Sequence, residues 1–143
     1  MENTKKIGNL TELQCATRLY ELGCAVSLPF GNSERYDLII DWNNKLYKIQ
    51  VKHAQPLSEN GEVYAIKFKT VWIDHNNNGY TTHKYTSEDA NYFATFYKGE
   101  CYLVPQNECS NEKTLRIIPP KNGQRKGISF LNDYKAEEVL GKL

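Results

Sequence analysis

The sequence has no run of about 18 apolar residues, so no membrane-spanning helix is expected. Its first segment, MENTKKIGNL, places no apolar stretch after the lysines. A secretory signal is therefore not expected, and an intracellular (cytoplasmic) protein is. There is no CxxC pair. Cys15, Cys24, Cys101 and Cys109 stand far apart, and His53, His75 and His83 complete no zinc-like spacing with them. Four reduced, mostly buried thiols are expected. Charge of one sign is not in excess: 18 Lys and Arg oppose 17 Asp and Glu, for a net charge of +1. The strongly basic balance that usually accompanies nucleic-acid binding is missing, although a local basic face is compatible with these totals. No repeat, low-complexity tract or linker divides the 143 residues, so one domain over 1–143 is expected.

What is present is patterning. In KIGNLTELQCATRLYELG, Ile7, Leu10, Leu13, Ala16 or Thr17, and Tyr20 recur at three- and four-residue steps. The spacing predicts an amphipathic helix with that stripe inward, and Gly23 stands where a C-terminal cap belongs. CAVSLPF reads as a short strand stopped by Pro29, and GNSER as a loop. Tyr36–Asp41 and Lys45–Lys52 read as strands around Asn43-Asn44. EVYAIKFKTVWI reads as one strand with Tyr64, Ile66, Phe68 and Trp72 on one face, followed by a DHNNNG turn. TSEDA has the composition of a capped turn. NYFATFY, KGE and CYLVP read as strand, turn and strand; TLRII as a further strand; KNGQRKG as a basic loop; and FLNDYKAEEVLGKL as a C-terminal helix. A helix followed by several mostly antiparallel strands is an α/β or α+β arrangement.

The stretch YDLIIDWNNKLYKIQVKHAQ has the pattern of a β-hairpin. With Asn43 and Asn44 as a two-residue type I′ turn, Trp42 faces Lys45, Ile40 faces Tyr47, Leu38 faces Ile49 and Tyr36 faces Val51. Tyr36, Leu38, Ile40, Tyr47, Ile49 and Val51 then make one apolar face. On the other face Asp37 falls opposite Gln50 with Lys52 diagonal to it, at Cβ separations of about 5 and 7 Å. A carboxylate, an amide and an ammonium gather at one end of the hairpin. Spacing alone fits two readings: a solvated face with an Asp–Lys pair worth about 0.2–1 kcal/mol, or a site.

Glu12 in the helix, Asp37 in RYDLII and Gln50–Lys52 in QVK resemble the helix Glu, first Asp and (D/E)XK of the PD-(D/E)XK nuclease superfamily. YDLIIDWNNKLYKIQVKHA, YFATFY…CYLVP and NGQRKGISFLNDY look more narrowly like the small PD-(D/E)XK homing endonucleases encoded in group I introns. The sequence departs from the motif in having Tyr36 where the motif has Pro and Gln50 where it has an acid; the narrower group uses Gln there. The resemblance implies an α/β fold with a restriction-endonuclease-like core, a helix followed by a mixed, largely antiparallel central sheet. It implies Mg²⁺-dependent, site-specific hydrolysis of double-stranded DNA, by a homodimer or homotetramer without membrane contact.

On that resemblance Asp37 is the main Mg²⁺ ligand, with the Gln50 side-chain oxygen and the Val51 carbonyl as further hard donors. Lys52 orients water and stabilises charge on the phosphate, and Glu12 holds a water or a second metal. NLTE, from Asn9 to Glu12, equally has the form of a helix-capping box. Lys121, Arg125 and Lys126, the face of Lys67 and Lys69, and Ser33 with Arg35 are the candidate DNA contacts. A junction-resolving nuclease and an inactive nucleic-acid-binding module are the alternative functions.

Overall fold

The computed structural model describes residues 3–31, 33–76 and 78–143. Helix α1, Thr4–Glu21, is started by Asn3, whose Oδ1 accepts from the Lys5 and Lys6 amides at 3.0 and 3.4 Å. Asn9 therefore lies inside the helix, and NLTE is not a cap: the true N-terminus precedes it by more than a turn. At the other end the Gly23 amide donates to the Tyr20 carbonyl and the Cys24 amide to Leu19, both at 3.0 Å. This is the reciprocal closure that satisfies a helix end through a residue with positive φ. Gly23 has φ +106°, and an added Cβ would meet only Trp42 Cζ3 at 3.5 Å, so the penalty there is in the backbone. Gly23→Ala is expected to destabilise the fold by about 1–2 kcal/mol, seen as a lower urea midpoint at unchanged slope. An unshifted midpoint would contradict the strain.

The inward stripe of α1 differs from expectation. Thr11, Cys15 and Leu19 are buried, whereas Leu10, Leu13 and Tyr20 are 54, 65 and 72 % exposed. The helix packs on the sheet through its slimmer stripe. A 3.6-residue period identifies that stripes exist and does not choose between two of them.

A five-stranded sheet runs in the order β1 (Ala25–Ser27), β2 (Leu38–Trp42), β3 (Lys45–Val51), β8 (Tyr92–Tyr97), β9 (Glu100–Pro105). The β2–β3 hairpin has the expected register, from Trp42↔Lys45 to Leu38↔Ile49, around Asn43 and Asn44 at φ 52° and 65°. Strands β3 and β8 pair in parallel, Ile49↔Tyr92 to Val51↔Ala94, while the other pairs in this sheet are antiparallel. Leu38, Ile40, Ile49 and Val51 pack with Cys15, Leu19, Cys101 and Leu103 of α1 and β9, and with Leu140 of helix α2, Ala136–Leu140. On the opposite face Phe93 and Val104 pack with Ile66, Phe68 and Leu115. These belong to a second sheet, ordered β10 (Glu112–Arg116), β5 (Glu62–Lys69), β4 (Gln55–Glu59).

EVYAIKFKTVWI is two strands rather than one. It breaks at buried Thr70, whose amide and Oγ1 donate to the Asn111 and Ser110 carbonyls at 2.9 Å. Its second half is β6, Val71–Asn76, which pairs with β7, Gly79–Lys84, in a separate ribbon. Of DHNNNG, Asp74, His75, Asn76 and Gly79 lie in the ribbon, Asn78 lies in the turn, and Asn77 lies outside the described residues. The C-terminal helix is interrupted at Lys135, which bridges to Tyr102. A 3₁₀ turn, Leu131–Tyr134, precedes it, and only Ala136–Leu140 is α-helical. All four cysteines are free thiols, three of them buried. Among the described residues no helix is long and apolar enough to cross a membrane.

Candidate active site

Asp37 stands one residue ahead of β2. Its amide donates to the Ile49 carbonyl and its Oδ2 accepts from the Val51 amide, each at 2.8 Å. The two bonds straddle Gln50, so the regular ladder ends at Leu38↔Ile49 and the carboxylate itself closes the hairpin beside Gln50. Gln50 is half-buried and level with Phe93 of β8. Alternation along β3 puts it on the face away from Ile49 and Val51. Burial raises the Asp37 carboxyl above its usual range, while the Val51 hydrogen bond and the charge of Lys52 pull it back.

Lys52 is fixed at both ends. Its amide donates to the Ala94 carbonyl at 2.8 Å, tying it to the parallel strand. Its ammonium donates to the Val71 carbonyl at 3.4 Å and lies 4.9 Å from the Tyr85 ring centre. Burial lowers its pKa and the Asp37 charge raises it, so the two groups sense one another. Glu12, in the middle of α1, lines an open cavity of about 380 Å³ together with Asp37, Glu34, Tyr36 and Asn9. Its carboxyl is raised by burial and then by the Asp37 charge. Next to Glu12, Thr11 Oγ1 lies 3.3 Å from His53 Nδ1, linking the helix to the residue after Lys52.

The sign of the Glu12 shift yields a stability prediction. The folded-state pKa exceeds the ordinary 4.5, so ionisation costs the native state more than the unfolded one. Stability is lost as pH rises through the window above 4.5. In chelator, Glu12→Gln is expected to melt higher than the parent near neutral pH, and the gain to fade below that window. An equal gain at acid and neutral pH would assign it to packing instead.

The structure brings Glu12 and Asp37 to one cavity and sets Gln50, Val51 and Lys52 beside Asp37. The proposed DNA contacts divide. Ser33 and Arg35 are exposed just before Asp37, and the Arg35 guanidinium sits 3.7 Å over the Trp72 ring. Lys67 and Lys69 lie on β5 of the second sheet, where Lys67 pairs with Glu112 at 3.6 Å. Lys121, Arg125 and Lys126 are exposed in the loop after β10. Lys121 lines a groove of about 550 Å³ with Arg116, Tyr64, Glu59 and Glu62; Arg125 covers Phe130 at 5.0 Å. Sequence reasoning missed Tyr85, Val71 and Glu34. Tyr85 and Val71 meet Lys52 only through tertiary contact; Glu34 had its place in the loop before Asp37 as a signal.

The donors are hard oxygens: two carboxylates whose charges oppose one another, an amide and a main-chain carbonyl. Among the described residues no group of three or more His, Cys, Asp or Glu converges on one point. That composition suits a cation such as Mg²⁺, which keeps several waters and needs few protein ligands, and does not suit zinc.

A helix and a second sheet on opposite faces of a mixed sheet, with acid and lysine at the strand ends, put this chain in the class of restriction-endonuclease-like nucleases. Residues 2–137 match the family model for the PD-(D/E)XK endonuclease, and the chain belongs to that family. Among solved structures it is similar to the bacterial homing endonuclease I-Ssp6803I, with a TM-score of 0.75 and 20 % identity, over 99 % of this chain and 95 % of that one. No curated protein matches the chain.

Proposed function

We propose that residues 1–143 form one Mg²⁺-dependent endonuclease domain that cuts double-stranded DNA at specific sites as an intron-encoded homing enzyme does. The observation that carries this reading is the bracketing of Gln50 by the two Asp37 hydrogen bonds, with buried Lys52 alongside. Asp37, Gln50 and the Val51 carbonyl would hold the cation, with Glu12 across the cavity. When bound, Mg²⁺ supplies charge neutralisation at the phosphate and an acidified water. Asp37 is held in one orientation by the Val51 amide, so no rearrangement is needed as the substrate arrives. Lys52, partly desolvated and fixed by Val71 and Tyr85, places a positive charge where the phosphate gains negative charge, an effect strongest where water is excluded. One site per chain cuts one strand, so a double-strand cut calls for a homodimer or homotetramer. The outward Leu10, Leu13 and Tyr20 of α1 are the apolar surface such an assembly would cover.

The test is incubation with a pool of long linear duplexes and, separately, with a four-way junction, in Mg²⁺ and in chelator. Discrete Mg²⁺-dependent double-strand cuts in the duplex pool are expected. Cleavage of the junction alone would replace the homing role with junction resolution. Binding without cleavage would leave a nucleic-acid-binding module.

A further inference from the structure

Of the described residues of the β6–β7 ribbon, only Trp72 packs against a core, the one shared with the second sheet. Apart from Val71, Trp72 and His83 at its root, its described residues are exposed. A two-stranded ribbon is at best marginally stable alone in water, and this one is stapled only at its base. There the Trp72 and His83 rings stack at 4.2 Å, and Arg35 caps the Trp72 ring at 3.7 Å. The base is also the wall of the candidate active site: the Val71 carbonyl accepts from Lys52, and Tyr85 follows directly after β7. The ribbon therefore springs from the residues that hold Lys52.

The two ribbon faces differ. The register puts Trp72, Asp74 and Asn76 with Thr81 and His83 on one face. That face holds the only carboxylate among the ribbon's described residues, Asp74, at 3.7 Å from His83 Nε2. The other face carries Val71, Ile73 and His75 with Tyr80, Thr82 and Lys84, and has no acid. Ile73 is 50 % and Tyr80 69 % exposed. Arg35 lies over the Trp72 ring, Lys84 pairs with Val71, and Lys69 ends β5 two residues before Val71. The acid-free face combines apolar groups, hydroxyls and an imidazole, which together suit base edges and thymine methyls, with cations at the end nearest the site. A two-stranded ribbon fits the major groove, which is about 12 Å wide. Six residue pairs extend about 20 Å, close to six base steps of about 3.4 Å each.

We propose that the β6–β7 ribbon enters the major groove of the DNA duplex beside the cut and reads it through Ile73, His75, Tyr80 and Thr82, with Lys84 on the phosphates. This deepens the nuclease reading and rests on it for the identity of the ligand.

The test separates binding from cutting. Duplexes are selected by binding from a randomised pool in Ca²⁺, which reads recognition alone. The same pool is then cut in Mg²⁺. The parent chain is expected to select a motif. The variant carrying Ile73→Ala, His75→Ala and Tyr80→Ala should lose preference over a contiguous block of about six base pairs. Discrimination there should fall roughly tenfold or more per contacted position, with its thermal melt and its affinity for unselected duplex little changed. Lys84→Ala should weaken selected and unselected duplexes alike and lower the salt slope. An unchanged motif in the triple variant overturns the proposal, as does a parent that selects no motif. A variant whose assembly dissociates in sedimentation while its motif persists makes the ribbon a contact between copies. An intact ribbon-dependent motif without Mg²⁺ cleavage would overturn the nuclease reading and leave the ribbon's role standing.

Discussion

Asp37→Ala is expected to abolish Mg²⁺-dependent cleavage while duplex binding in Ca²⁺ survives. In the proposed role Asp37 is the main oxygen donor, and its loss removes several kcal/mol of charge stabilisation from the transition state, roughly a thousandfold or more in rate. The structural consequences nearly offset each other. The Val51 amide, bonded to Asp37 Oδ2 at 2.8 Å, loses its acceptor, which costs about 1–3 kcal/mol if no water replaces it. Against this, a carboxylate that burial holds above its usual pKa is removed. Asp37→Asn keeps an acceptor of the same shape and is the cleaner partner: it should melt at least as high as the parent near neutral pH and be equally inactive. Its stability gain should shrink as pH falls through the window above the ordinary Asp value of 3.8 and vanish below it, where the parent carboxyl is protonated in both states. Single-turnover cleavage, Ca²⁺ binding and melts on the three proteins decide it. An alanine variant that cuts at the parental rate removes Asp37 from the chemistry.

Lys52→Ala should lower the single-turnover rate by about 10²–10³-fold and leave duplex affinity in Ca²⁺ nearly unchanged. The ammonium donates to the Val71 carbonyl and lies over Tyr85, where the Asp37 charge acts on it. Its lowered pKa records the cost of burial, with the Asp37 charge opposing it, so its removal should not lower the melting temperature markedly. A loss confined to KM would make Lys52 a binding residue. A collapse of the fold would make it structural, and Lys52→Met, which retains the aliphatic stem, separates collapse from lost charge.

Local segments of the candidate site are legible in the sequence alone. Asn43 and Asn44 accept the positive φ of a type I′ turn, and the alternation on both sides leaves one register that buries Leu38, Ile40 and Ile49. That register alone brings Asp37, Gln50 and Lys52 to one end of the hairpin. Gly23 was equally plain, because positive φ after a helix favours a residue without Cβ. Each of these choices is made within a few residues and involves no distant segment.

Tertiary structure decided the rest. Two apolar stripes on α1 competed, and the sheet accepted Thr11, Cys15 and Leu19, leaving Leu10, Leu13 and Tyr20 outside. Thr70 broke a strand that its own sequence would have continued, because carbonyls from residues 110 and 111 offered it better partners. Lys135 left the helix to bridge Tyr102. The parallel pairing of β3 with β8 joins segments about forty residues apart, so no local signal encodes it. Yet that pairing fixes the Lys52 amide, and the chain's return through Val71 and Tyr85 fixes its ammonium. The residues proposed to carry the chemistry are set by local pattern. Their desolvation and mutual charge effects exist only once α1, β8 and the β6–β7 ribbon close around them, because burial and Coulombic coupling depend on distance in space rather than along the chain.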